Sequence, residues 1–140
     1  MSRSIKIQTF FPVPNSLVSA DILDKKRCFK NLVESQQILN TIEGRSKGWI
    51  NHPAVKMWVG HANALKDYSN SFFDICINKH KINIQKLKKY KIVGNILYPK
   101  WVGDERFHSS HRSNLLRKDK IYYSKFGWTE TPNLPYWWPI

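Results

Sequence analysis

Cysteine is nearly absent from this chain: only Cys28 and Cys76 occur, in no CxxC pair and with no companions for a zinc quartet. That excludes a disulfide scaffold and points to a reducing, intracellular setting, whether cytoplasm, nucleus or virion. Long apolar runs are missing too. The start, MSRSIKIQTFFPVPNS, carries no signal-peptide core, and no segment approaches the roughly 20 apolar residues that span a bilayer. A surface-bound membrane protein would need a basic helix with a lipophilic face at one end, and none is found that the core does not use better. Glycine is sparse, and neither a Gly-rich phosphate loop, a dinucleotide fingerprint nor a GxSxG elbow is present. P-loop hydrolysis, nucleotide cofactors and serine-hydrolase chemistry are excluded on that ground.

Acidic residues are also scarce, 10 Asp and Glu against 23 Lys and Arg, with a pI near 9.9. A balance this basic predicts a polyanionic partner. The excess is concentrated between Lys79 and Lys125, where thirteen cations face only Asp104, Glu105 and Asp119. Within it, FHSSHRSNLLRKDKIYYSKFGW interleaves cations and imidazoles with Tyr122, Tyr123, Phe126 and Trp128. Cations suit phosphates and rings suit bases, so nucleic acid is the partner this mixture fits.

At 140 residues and 41% hydrophobic, the chain can bury one core. The patterning predicts a mainly α, single compact domain with an extended N-terminal segment and an aromatic-rich C-terminal tail. Pro12 and Pro14 break the first segment. A helix follows from about Ser19 to Gly44, with Ile22, Phe29, Leu32, Val33, Gln36 and Leu39 on one side. A second runs from Pro53, capped by Asn51 or His52, to about Asn78 through Val55, Trp58, Leu65, Tyr68, Phe72 and Ile75. A short helix is expected around Ile84 to Lys91. A last one starts near Ser109 or Ser110 and turns Leu115, Leu116, Ile121 and Tyr122 inward. The tail GWTETPNLPYWWPI, rich in proline, should be extended and pinned by its rings.

Three groups of residues are candidates for chemistry. The polar face of the first helix holds Arg27, Lys30, Asn31 and Glu34 within about 100° of arc. It is either a solvated face with a Lys30–Glu34 ion pair or a surface where cations grip phosphates while Glu34 works on a sugar. His108 and His111, three apart, are helix caps, phosphate contacts or, with Asp104 and His61, metal ligands. Trp49, Trp101 and Trp128 either plug the core or stack on an unpaired base.

Several stretches resemble the endonuclease V-type pyrimidine-dimer DNA glycosylases of bacteriophages. They are MSRSI, DKKRCFKNLVE, GHANALKDYSNSFFDICINKHKINI, FHSSHRSNLLRKDK and the ring-rich YYSKFGW. The stretch from GWINHPAVKMW to LPYWWP is also similar to a broader set of small uncharacterised proteins near that family. The resemblance implies a helical protein that excises a damaged pyrimidine and nicks the strand. The nucleophile would be the α-amine exposed when the initiator Met is removed, here that of Ser2. With a reference pKa of about 8, such an amine is partly neutral at physiological pH. The essential carboxylate would lie on the first helix, where Glu34 matches by environment and Asp24 by distance from Ser2. Arg3, Lys26, Arg27 and Lys30 would contact phosphates. His108, His111, Arg112, Arg117 and Lys118 would line the same groove, and Trp101 and Trp128 would stack on bases. Duplex DNA, damaged or not, is the implied partner of a monomer that uses no metal and no cofactor. Two other readings stay open: a catalytically silent DNA-binding or packaging-associated protein, and a metal-dependent nuclease built on His108 and His111.

Overall fold

The computed structural model describes residues 7–140, which contain helices and turns and no strand. The mainly α architecture expected from the patterning is what is found. Helix α1 (Ser16–Ile22) starts at Asn15, whose side chain accepts the Val18 N–H at 2.9 Å. Leu23 is extended and Asp24 caps a new helix, α2 (Lys25–Ile42). The helix expected from Ser19 to Gly44 is therefore two, because the Asp24 side chain takes the Arg27 N–H and restarts the backbone ladder. Gly44 ends α2 as expected, with φ +84°.

His52 caps α3 (Pro53–Lys56) and Pro53 occupies its first turn, as the sequence suggests. The expected continuous helix to Asn78 is interrupted at Gly60, which has φ +84°, and resumes as α4 (Ala62–Asn78). No helix forms over Ile84 to Lys91. Its lysines provide no apolar stripe, and amide side chains hold its backbone instead: Gln36 donates to the Lys88 carbonyl at 2.6 Å, and Asn70 pairs with both Tyr90 backbone groups. Helix α5 (Glu105–Lys118) starts a turn earlier than expected, at the Asp104 cap, and is followed by α6 (Lys120–Tyr123). Ile121 points to solvent at 93% exposure rather than inward, and Tyr123 is the residue of α6 that is buried.

Helix α2 packs along α4. Cys28, Leu32 and Leu39 are buried with Leu65, Tyr68, Phe72 and Cys76, each large apolar side chain contributing about 1.5–3 kcal/mol by leaving water. The two cysteines are free thiols with sulfurs 3.6 Å apart. Among the described residues no helix is long and apolar enough to cross a membrane.

The extended N-terminal segment is built in rather than draped over the surface. Residues Ile7 to Phe11 are all buried, and an extended strap with no strand partner must find side chains for its peptide groups. Glu34 accepts the Gln8 N–H at 2.8 Å and Asn31 the Phe10 N–H at 3.0 Å. Tyr68 donates to the Phe10 carbonyl. His111 Nδ1 accepts the Phe11 N–H at 2.9 Å, and His108 Nδ1 donates to the Phe11 carbonyl at 2.7 Å. Helices α2, α4 and α5 thus converge on one strap.

Candidate active site

A cleft of about 420 Å³ opens between the strap, the polar face of α2 and the end of α5, lined by Gln8, Phe10, Lys26, Arg27, Lys30, Asn31, Glu34, Arg117, Lys118 and Tyr136 among others. Its size lies within the range of small-ligand sites. Four of the α2 residues, Lys26, Lys30, Asn31 and Glu34, follow helical spacing along one face. Arg117 and Lys118 come from the last turn of α5. Tyr136 arrives from the tail, which α5 pins: Ser113 donates to the Thr131 carbonyl at 2.5 Å and accepts the Leu134 N–H at 2.9 Å, and Asn114 donates to the Leu134 carbonyl at 2.8 Å.

Glu34 is the carboxylate of the cleft. It is 9% exposed. One oxygen accepts the Gln8 N–H and the other lies 3.7 Å from the Lys30 ammonium. Burial pushes its pKa above the ordinary carboxylate value, and the Gln8 hydrogen bond and the charges of Lys30 and Lys118 offset that only in part. The result is an acid that holds its proton more readily than a surface glutamate does, amid cations that can bind phosphate. Phe10 and Tyr136, with ring centroids 6.3 Å apart, supply apolar surface beside it. Burial also raises the Tyr136 hydroxyl to about 12, so it stays protonated.

Asp24, the carboxylate favoured by spacing, has a different task. It caps α2, pairs with Arg27 at 3.3 Å and accepts the Tyr123 hydroxyl. Burial alone would raise its pKa, but the Tyr123 and Arg27 interactions outweigh it and hold the carboxyl below its usual value. It does not line the cleft.

The structure therefore brings together Glu34, Lys26, Arg27, Lys30, Arg117 and Lys118. Five residues expected at the DNA surface are elsewhere: His108, His111, Arg112, Trp101 and Trp128. His108 and His111 are 1% and 0% exposed, clamped on Phe11. His108 Nε2 is occupied as well, by the Gly103 N–H at 2.8 Å. Desolvation lowers both pKa values, that of His111 to about 3, so they are neutral brackets and no phosphate contact. Among the described residues no group of three metal-ligating side chains forms; His108 is committed to backbone and cannot serve the metal site considered with Asp104 and His61. Arg112 is tied to Glu105 and Glu130, and donates to the Pro12 carbonyl at 2.8 Å. Trp101 is a core residue, edge-on to Trp58 at 5.0 Å. Trp128 is half-buried and stacks on Tyr123 and Phe126, which leaves it away from the cleft. Ser2 and Arg3 lie outside the described residues.

Sequence reasoning missed Gln8, Phe10 and Tyr136 as cleft residues. Nothing local marks them, since each reaches the cleft through a long-range contact. Asn31 did carry a signal, its place on the polar face of α2.

The sequence profile of the pyrimidine dimer DNA glycosylase family matches residues 7–90. The chain belongs to that family. The matched segment contains the strap, α2 and α4, hence Glu34 and its supports, while Arg117, Lys118 and Tyr136 complete the cleft from beyond it. No curated protein and no solved structure gives a significant match. Family membership makes DNA repair by a glycosylase the function class and DNA the substrate.

Proposed function

We propose that the cleft around Glu34 excises a damaged pyrimidine from duplex DNA and then nicks the strand through an imine. The observation that carries this reading is a buried carboxyl with raised pKa, ringed by Lys26, Lys30, Arg117 and Lys118. The α-amine of Ser2 is the proposed nucleophile. Four residues lie between Ser2 and Ile7 on the cleft wall, and the five Cα–Cα steps reach at most about 18 Å, so the amine is within covalent reach of the cleft. Its lone pair bonds to the sugar C1′ as the glycosidic bond breaks; the base leaves with the glycosidic electron pair and takes a proton from solvent, and the new ammonium returns one to solvent. The Glu34 proton then passes to the ring oxygen as the C1′–O4′ bond breaks, and the nitrogen lone pair closes the C1′ iminium. The Glu34 carboxylate then takes a C2′ proton, the C3′–O bond breaks, and the phosphate leaves with its electrons. The cations hold the flanking phosphates through both steps, and the protein acts as a monomer.

The test is glycosidic cleavage, read as free pyrimidine released on photoreversal because the excised base stays joined to its dimer partner, and strand nicking on a duplex with a single pyrimidine dimer, in EDTA, against the undamaged duplex. Release and nicking on the damaged duplex alone support the reading. Salt-sensitive binding with neither reaction makes the protein a silent DNA binder, and activity that returns only with a divalent ion makes it a nuclease.

A further inference from the structure

Glu34 does not hold its own position. One of its oxygens is fixed by a peptide N–H, that of Gln8, and among the described residues no strand neighbours the strap bearing this N–H to set its register. Two residues later, next to the His108 and His111 clamp on Phe11, a closed ring of hydrogen bonds ties the strap to α2 itself. The Phe10 N–H donates to Asn31 Oδ1 at 3.0 Å, the Asn31 amide donates to the Tyr68 hydroxyl, and that hydroxyl donates to the Phe10 carbonyl. Both peptide groups of Phe10 and both ends of the Asn31 amide are thereby used. Asn31 stands one turn before Glu34 on α2, so the ring measures the strap against the same helix that carries the carboxylate. Tyr68 is fully buried on α4 and does not line the cleft.

We propose that Asn31 and Tyr68 are positioning residues for Glu34: their hydrogen-bonded ring on Phe10 fixes the strap so that the Gln8 N–H meets the carboxylate. A buried donor and acceptor left unpaired is costly, so breaking the ring lets the strap shift to recover partners, and a period-two chain that slips loses the Gln8 contact first. The inference rests on Glu34 as the acid–base group of the proposed reaction.

Tyr68→Phe is the variant that tests it, because it keeps the aromatic side chain and removes only the hydroxyl that closes the hydrogen-bonded ring, at a fully buried site that cannot touch DNA. The Glu34 carboxyl, followed by carbon-13 NMR titration, should titrate about half a unit or more higher than in the unmutated protein, since a hydrogen bond to the charged form has been weakened. On a dimer-containing duplex, kcat should fall about tenfold with DNA affinity unchanged, and the acidic limb of the pH profile should move up with the carboxyl. Loss of packing alone would lower thermal stability and move neither titration nor profile. An unshifted Glu34 titration in folded Tyr68→Phe overturns the proposal. Should that variant not fold, amide exchange at Gln8 and Phe10 in the unmutated protein decides: protection of both supports the ring, and exchange at the rate of open chain refutes it. The NMR and exchange readouts need no substrate, so absence of glycosidic cleavage fails the glycosylase reading and the kinetic part of this one, while an unshifted Glu34 titration fails the positioning itself.

Discussion

Helices α2 and α5 look alike as sequence. Both are polar, both carry several cations, and both read as surfaces for DNA. In the folded chain they have opposite uses. The polar face of α2 opens on the cleft and presents Lys26, Lys30 and Glu34. Most of the polar side chains of α5 are spent inside the protein, as a bracket: His108 and His111 hold the strap, Ser113 and Asn114 hold the tail, and Arg112 joins α5 to the segments on either side. Only its last turn, with Arg117 and Lys118, reaches the cleft. The difference is set by what each helix must satisfy. Among the described residues strap and tail have no strand neighbours, so their peptide groups draw on whichever helix carries short polar side chains at successive turns.

The sharpest way to test this contrast is to remove the one carboxylate assigned to chemistry and compare it with the one assigned to a cap. Glu34→Gln should reduce the single-turnover excision rate by about 10²-fold or more, roughly 2.7 kcal/mol in barrier, with little change in DNA affinity. Asp24→Asn should leave the rate within a few-fold, because asparagine caps a helix nearly as well. The reverse outcome would move the acid–base role to the end of α2.

The two arginines of α5 give the next largest effect. Arg112→Ala should cost about 2 kcal/mol of stability in urea unfolding, since it leaves the half-hidden Glu130 without its cation, and should leave the salt dependence of DNA binding unchanged. Arg117→Ala should do the opposite, flattening the slope of log affinity against log salt by about one unit at nearly constant stability.

The histidine bracket makes a smaller, pH-dependent claim. His111 has its folded pKa depressed to about 3, so the unfolded chain binds a proton that the folded one refuses. The stabilisation is fully present above about pH 6.5 and is lost as pH falls through the window between that value and about 3, by about 1.4 kcal/mol per pH unit at most. His108 is shifted in the same direction and adds to it. Denaturant melts across this window check the slope; a flat profile would mean that the imidazoles are solvated.

The sequence carried the mainly α class, the Gly44 stop, the Pro53 start and the grouping of Lys30, Asn31 and Glu34, because each depends on a local period or a single residue's backbone preference. It misled where neighbours far along the chain decide. A histidine pair among cations looks the same whether it faces phosphate or an inner peptide group, and only the strap, about 100 residues away, distinguishes them. Trp101 sits beside Lys100 and near Gly103 in a loop, as a stacking residue would, yet Trp58 and Phe107 enclose it. Tyr136 gave no warning in the other direction, since its place in the cleft depends on α5 holding the tail.

The central claim, imine chemistry from the cleft of Glu34, is tested most directly by borohydride trapping on a duplex containing one pyrimidine dimer. The protein should be captured as a stable covalent adduct with DNA, and acetylating its α-amine should abolish the adduct while salt-sensitive binding persists. An adduct that survives acetylation would place the nucleophile on a lysine such as Lys26 or Lys30, and no adduct on any dimer-containing or abasic duplex would contradict the account.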